Sequence, residues 1–322
     1  MSHILEKFLS IKTLILLIVI ILFILPFIIT NPYWQFILAL TYVYSIYAIS
    51  WDILGGYCGQ GSLGHGFLFG VGAYTSVLLN LHLRLPIFIT IPIGVCTALI
   101  AGLIVAAPCS RLHGAYLSIG TLAFPIALTG LIVMFGNITG GEYGTMKLGI
   151  PDPLAPSRSF IYYYSLIIML GVTILSWKLT NSRLGLYFRA IREDEVVVRT
   201  CGINTAKYKL LAFCISAILA GLAGAIYAHI VKGADTSITS VTFSIQPLIW
   251  TIFGGASSIY GAVVGTFILF PIFQYIRTIP KIPPQLMDIS QALLLIILIL
   301  FIPEGIISRI KKKAQGVKLR GK

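Results

Sequence analysis

The side chains in this sequence that could do chemistry gather in two places. The first is Trp51-Asp52-Ile53-Leu54-Gly55-Gly56-Tyr57-Cys58-Gly59-Gln60-Gly61-Ser62-Leu63-Gly64-His65-Gly66, where Asp52, Gln60, Ser62 and His65 stand among six glycines between positions 55 and 66. The second is a charged island from Ser182 to Asn204, carrying Arg189, Arg192, Glu193, Asp194 and Glu195 ahead of Gly202. Neither has the pattern of a catalyst. No His-Glu-x-x-His or Gly-x-Ser-x-Gly run occurs, and Asp52, His65, His113 and His229 are scattered along the chain. A lone histidine near the end of an apolar run reads first as a structural hydrogen-bonding group. The segment Gly316 to Lys322 loosely resembles a phosphate-binding loop, but it holds no Ser or Thr for magnesium and no helix follows it. The chain is therefore expected to be non-catalytic, with no cofactor or metal of its own.

A glycine-rich break can do something else. Each interior glycine weakens a helix by about 1 kcal/mol relative to alanine, so a continuous lipid-facing helix through 55–66 is disfavoured. Non-helical backbone at membrane depth is tolerated where it is buried in protein or lines a cavity. Asp52, Gln60, Ser62 and His65 are accordingly read as candidates for a substrate pathway or gate, Asp52 first among them because intramembrane ionisable groups are costly. The plainer alternative is a tight turn near the inner face, with these residues serving packing alone.

The charged island reads as a short helix over 186–200. Gly202 offers a left-handed stop and Asn204 a cap for the next helix, beginning at Thr205. An amphipathic helix lying on lipid headgroups is one reading. Glu193, Asp194 and Glu195 beside an anionic surface speak against it. Mixed charge between apolar anchors suits a socket for a soluble protein, and Arg189, Arg192, Glu193, Asp194, Glu195 and Gly202 are the expected coupling residues.

The rest of the sequence must hold these two segments. Of 322 residues, 57% are hydrophobic and 10% charged, with a mean hydropathy of +0.95. Soluble domains carry about a quarter charged residues, so lipid must cover most of this surface. The fold expected is an all-α polytopic membrane bundle, residues 1–322 forming one domain of about 10 segments (8–10), some broken or short. Candidate spans are 11–29, 34–54, 66–81, 86–108, 114–135, 160–178, 208–230, 241–254, 262–279 and 286–302. Those at 66–81 and 241–254 are short enough to be half-helices or re-entrant. The first apolar run lacks a small-residue cleavage site and reads as a retained helix.

Charge sets the orientation. The net charge is +13, from 23 basic and 10 acidic residues. Basic residues cluster in 178–209 and in the tail 309–322, flanking spans where anionic lipid is the nearer partner than nucleic acid. With the N-terminus inside, ten crossings bring the coupling loop 183–203 and the basic tail 309–322 into the cytoplasm. Residues 139–144 and 235–246 then face outward. The five cysteines show no metal spacing and read as small apolar residues. The pairs Gly66/Gly70, Ala217/Gly221, Ala220/Gly224 and Gly261/Gly265 put small residues on single helix faces, which favours close crossings.

Gly55-Gly56-Tyr57, Gly59-Gln60, Ser62-Leu63-Gly64-His65 and Phe69 to Thr75 together resemble the signature of the branched-chain amino acid ABC permeases of LivM type. Arg183-Leu184-Gly185, Arg189 to Glu195 and Gly202-Ile203-Asn204 are similar to that family's coupling loop. Gly254 to Gly265 is similar to its second glycine-rich turn. The resemblance covers about 35–305. It implies a permease subunit of an ATP-driven importer, in the cell's inner (plasma) membrane. Its partners would be a related second permease, two cytoplasmic ATPases holding ATP and Mg, and an extracytoplasmic substrate-binding protein touching 139–144 and 235–246. Cys58, Gly61, Glu142 and Tyr143 depart from the usual pattern and bear on cargo. Branched-chain amino acids are expected first, and urea or a short-chain amide is the alternative. A channel or secondary transporter working without ATPases is the reading of a different class, and it would have no use for the 183–203 loop.

Overall fold

The computed structural model describes residues 17, 19–29, 31–109, 112, 114–152, 154, 157–278, 289, 290, 293, 296 and 297. The candidate span 286–302 and the first part of 11–29 fall largely outside these, and the tail 309–322, Arg111 and His113 do so entirely.

The described chain is helical. A short apolar helix α1 (Val19–Ile28) precedes α2 (Pro32–Trp51). Next come α3 (His65–Leu83), α4 (Ile87–Cys109), α5 (Ala115–Met134), the single turn α6 (Gly136–Thr139) and α7 (Arg158–Thr180). The charged island forms α8 (Arg183–Glu193) and α9 (Glu195–Thr200), and α10 (Thr205–Val231), α11 (Val241–Gly254) and α12 (Ile259–Arg277) follow. Among the described residues seven helices are long and apolar enough to cross a membrane, and α1 and α11 are shorter apolar helices. The segment expected at 66–81 as a possible half-helix is continuous over 19 residues. Its glycines are closely packed, Gly66 against Ser244, Gly70 against Thr239 and Gly72 against the Gly221 backbone, so packing offsets their low helix propensity. The segment at 241–254 stays short, at 14 residues, with Pro247 inside it.

Polar caps start the helices where the sequence offers them. Asn31 accepts from the Tyr33 N–H at α2, Ser157 from Phe160 at α7, and Ser240 from Phe243 at α11. Such caps satisfy N–H groups that a helix start leaves without partners.

The centre of the bundle is α2 with α10. In the span Pro32–Tyr57, 94% of its 18-residue apolar stretch is buried, and α10 packs against α4, α3 and α2. Small residues permit this. A Cβ on Gly72 of α3 would lie 2.4 Å from the Gly221 carbonyl oxygen of α10, and one on Gly221 would lie 2.3 Å from the Ala98 Cβ of α4. Close backbone approach gains dispersion contacts that larger side chains would block. An aromatic cluster of Tyr44, Tyr47, Phe69 and Phe243 fills the space between α2, α3 and α11.

Candidate functional site: a junction of two glycine-rich turns and the charged island

At the end of α2 the helix widens. Asp52–Tyr57 forms a π-helical turn, and the backbone then runs irregularly to His65. π-turns tend to occur at functional positions because they redirect side chains without ending the helix. Here the turn buries Asp52 completely. Its Oδ1 accepts a 2.8 Å hydrogen bond from the Ser257 backbone N–H, which belongs to the turn between α11 and α12. Ser257 holds φ +61°, a left-handed conformation that few non-glycine residues adopt. Its hydroxyl donates to the Gly56 carbonyl at 2.6 Å. The two glycine-rich turns are thus stitched together by one buried carboxylate and one serine.

Arg192 joins the charged island to both turns. Its Nη1 donates to the Gly56 carbonyl at 2.9 Å and also bonds Ser257 Oγ. Its aliphatic stem lies on Gly59, where a Cβ would come within 3.0 Å of Arg192 Cγ. Gly59 has φ +70°, so glycine is required there for conformation and for space. A guanidinium offers several donors in a fixed plane, which suits one side chain spanning two backbone turns.

The island is two helices, not the single one expected over 186–200. Asp194 leaves the helical region at φ −157°, ψ 104°, and its carboxylate accepts from the Val196 and Val197 N–H groups. It is therefore an N-cap, and its capping bonds compete with continuation of α8. The expected stop at Gly202 is present at φ +79°. Ile203 N–H reaches the Val198 carbonyl and Gly202 N–H the Arg199 carbonyl, the pairing of a Schellman motif. Asn204 caps α10 by accepting from Lys207 N–H at 3.1 Å.

Glu195 turns inward. It accepts from Thr205 Oγ1 and from Arg199 at 3.1 Å each, and it pairs with Lys209, whose side chain is 1% exposed. Lys209 lies in the first turns of α10, so this pair fastens α9 to the long central helix. Cys58 sits close to the pair, and burial pushes its thiol up to about 12, keeping it neutral. Arg189 donates to the Thr180 carbonyl at 2.6 Å and lies over the Tyr57 ring.

The expected residues therefore divide. Asp52 and Arg192 meet at the Gly56–Ser257 stitch, while Glu195 makes a separate fastening and Asp194 a cap. His65, fully buried, contacts Ser216 Oγ of α10 at 2.8 Å. Gln60 folds onto the Cys58 carbonyl, and Ser62 Oγ accepts from Gly64 N–H. Most of the charges expected to face a soluble partner instead hold the island to the bundle. The exposed residues of the island include the apolar Leu186, Val196 and Val197 among Arg183, Glu193 and Arg199, and Arg189, Arg192 and Asp194 stay partly open to solvent while making their bonds.

Sequence reasoning missed Ser257 and Lys209. A signal for Ser257 was present. Trp51-Asp52-Ile53-Leu54-Gly55-Gly56 and Trp250-Thr251-Ile252-Phe253-Gly254-Gly255 repeat one Trp-x-Ile-x-Gly-Gly pattern, and both copies end a helix at the same end of the bundle. Lys209 reads in sequence as one more basic residue flanking a span.

Fold and site define a class: a polytopic helical membrane protein with a surface helix pair fastened by polar side chains to its core. Residues 33–302 match the family described as "Branched-chain amino acid transport system / permease component", and the chain belongs to that family. It is 29% identical to the high-affinity branched-chain amino acid transport system permease protein LivM of Escherichia coli K12, covering 72% of this chain and 61% of the relative. It is 25% identical to a probable LivM of Methanocaldococcus jannaschii, covering 76% of each chain. Likeness extends to the galactofuranose transporter permease protein YtfT of Escherichia coli K12, at 25% identity over 78% of this chain and 72% of the relative. The chain spans about three fifths of the length of the Escherichia coli LivM relative it matches. No solved structure matches the chain.

Proposed function

We propose that the chain is a permease subunit of an ATP-driven importer for branched-chain or related amino acids in the cell membrane, with both termini cytoplasmic. Two cytoplasmic ATPases holding ATP and Mg bear on α8 and α9. A related second permease completes the translocation path, and an extracytoplasmic binding protein delivers the substrate. The observation that carries this reading is Arg192, which ties α8 to both glycine-rich turns. A push on α8 moves the ends of α2 and α11 together. Through Glu195 and Lys209 the same push reaches α10.

Alternating access follows from such fastenings. ATP binding shifts the bundle only as far as the ATPases favour one state of α8–α9 over the other. Buried polar fastenings support all-or-none movement, because a half-broken one leaves a buried charge without its partner. The ATPases would meet Leu186, Val196 and Val197, with Glu193 beside them. This apolar patch within a polar surround has the composition of a protein contact.

Cys201 is exposed next to that patch, whereas Cys58 is buried. Maleimide should label Cys201 in the isolated permease, leave Cys58 untouched, and be blocked at Cys201 once the ATPases are bound. Equal labelling with and without ATPases, together with uptake that needs no ATP, would instead support a channel or secondary transporter. Uptake of urea in preference to leucine by the reconstituted system would move the cargo to amides.

A further inference from the structure

At the other end of α10 is a second set of polar fastenings that the coupling junction does not use. His229 is fully buried. Its Nε2 lies 2.9 Å from Ser76 Oγ of α3 and 3.3 Å from Thr90 Oγ1 of α4. Its Nδ1 lies 3.3 Å from the Asp152 carbonyl oxygen. A carbonyl only accepts, so Nδ1 carries the proton and Nε2 accepts from a hydroxyl. One side chain thereby joins α10 to α3, to α4 and to the segment leading into α7.

That segment is held at further points. Asp152 N–H donates to Asn80 Oδ1 at 2.8 Å, and Asn80 Nδ2 donates to Asp152 Oδ2 at 3.2 Å and to the Leu85 carbonyl at 2.8 Å. Thr145 N–H donates to the Ala234 carbonyl at 2.8 Å, and Ala234 N–H returns to Thr145 Oγ1 at 2.9 Å. Gly144 packs so closely on this turn that a Cβ would lie 2.3 Å from the Ala234 oxygen. Residues 144–152 and 232–240 thus form one platform, whose exposed residues include Met146, Lys147, Ile150, Lys232 and Asp235.

We infer that His229 is the positioning residue through which movement of α10 reaches this platform. The inference rests on the proposed coupling at the opposite end. Lys209 and His229 are twenty residues apart on one helix, about 30 Å at 1.5 Å per residue. Between them α10 is packed closely on α3 and α4 and moves as a rod. A rod fastened at both ends links the two sites, and the coupling is reciprocal: binding on the platform biases α8–α9 as much as ATPase closure biases the platform.

The test is amide hydrogen exchange on the permease assembled with its partner subunits in lipid nanodiscs, with and without a non-hydrolysable ATP analogue. The unaltered complex should change its exchange at 141–150 when the analogue binds. His229→Phe should raise basal exchange there about tenfold, as expected when a net hydrogen bond or two is lost, and should abolish the response to the analogue while the ATPases stay bound. Ser76→Ala with Thr90→Val removes the hydroxyls that orient the ring and keep its proton on Nδ1, which loosens the bond to Asp152 without touching the imidazole, and should weaken the response in the same direction if the phenylalanine variant does not assemble. A nucleotide response that survives both variants overturns the role of His229 and leaves the coupling reading intact. No nucleotide response in the unaltered complex overturns both.

Discussion

The two Trp-x-Ile-x-Gly-Gly turns break their helices at the same end of the bundle but are built differently. The first carries a carboxylate, Asp52, passes through a π-turn and takes an irregular course to His65. The second carries Thr251 at the equivalent place and closes into α12 at Ile259. Thr251 Oγ1 donates to the Ala48 carbonyl of α2 at 3.3 Å, a neutral bond inside the bundle. Asp52 instead reaches the backbone of the other turn at Ser257, the residue to which Arg192 also bonds. A repeated break therefore supplies shape twice, whereas charge is placed only where a helix outside the core must hold on.

The largest effect on this contrast should come from Gly56→Ala. The added Cβ would lie 1.9 Å from Asp52 Oδ1 and 2.9 Å from the Ser257 backbone N, so the carboxylate can give way only by leaving the Ser257 N–H it accepts from. Assembled permease should be lost, read as absence of a monodisperse peak in detergent. Gly130→Ala and Gly171→Ala, where an added Cβ meets nothing within 4 Å, should leave that peak unchanged. If all three behave alike, the close stitch is wrong.

A smaller effect separates the two polar positions. Asp52→Asn removes the charge beside Arg192, and charge-assisted bonds are worth about 1.5–3 kcal/mol against about 1 kcal/mol for a neutral one. It should lower uptake by about tenfold or more while Thr251→Val stays within a few-fold. Equal losses would mean that the carboxylate serves only as packing.

Much of this was legible in the sequence. The apolar runs marked α2 to α5, α7 and α10 to α12, because period and length survive without tertiary context. Gly202 and Asn204 gave the stop and restart of the island correctly, since capping is local. The small-residue faces were also readable: Gly261 of α12 faces the Gly254 and Gly255 backbone, and Gly224 of α10 faces the Phe69 carbonyl. The split at Asp194 has a local signal, an aspartate able to cap the helix that starts at Glu195, but within a run of three acids that signal does not stand apart from surface charge. The direction of the charges was not legible at all. Whether Glu195 meets water or Lys209 depends on how α9 returns against α10, a tertiary fact with no local signature. His229 looked like a lone structural histidine for the same reason.

The central claim is that Arg192 makes α8 and both turns move as one body. The direct test is the ratio of ATP hydrolysed to substrate taken up by the reconstituted complex carrying Arg192→Gln. The account predicts that hydrolysis continues near its normal rate while uptake falls by about tenfold or more, in line with losing charge-assisted bonds to Gly56 and Ser257. An unchanged ratio, with both activities normal or both reduced in proportion, would contradict it.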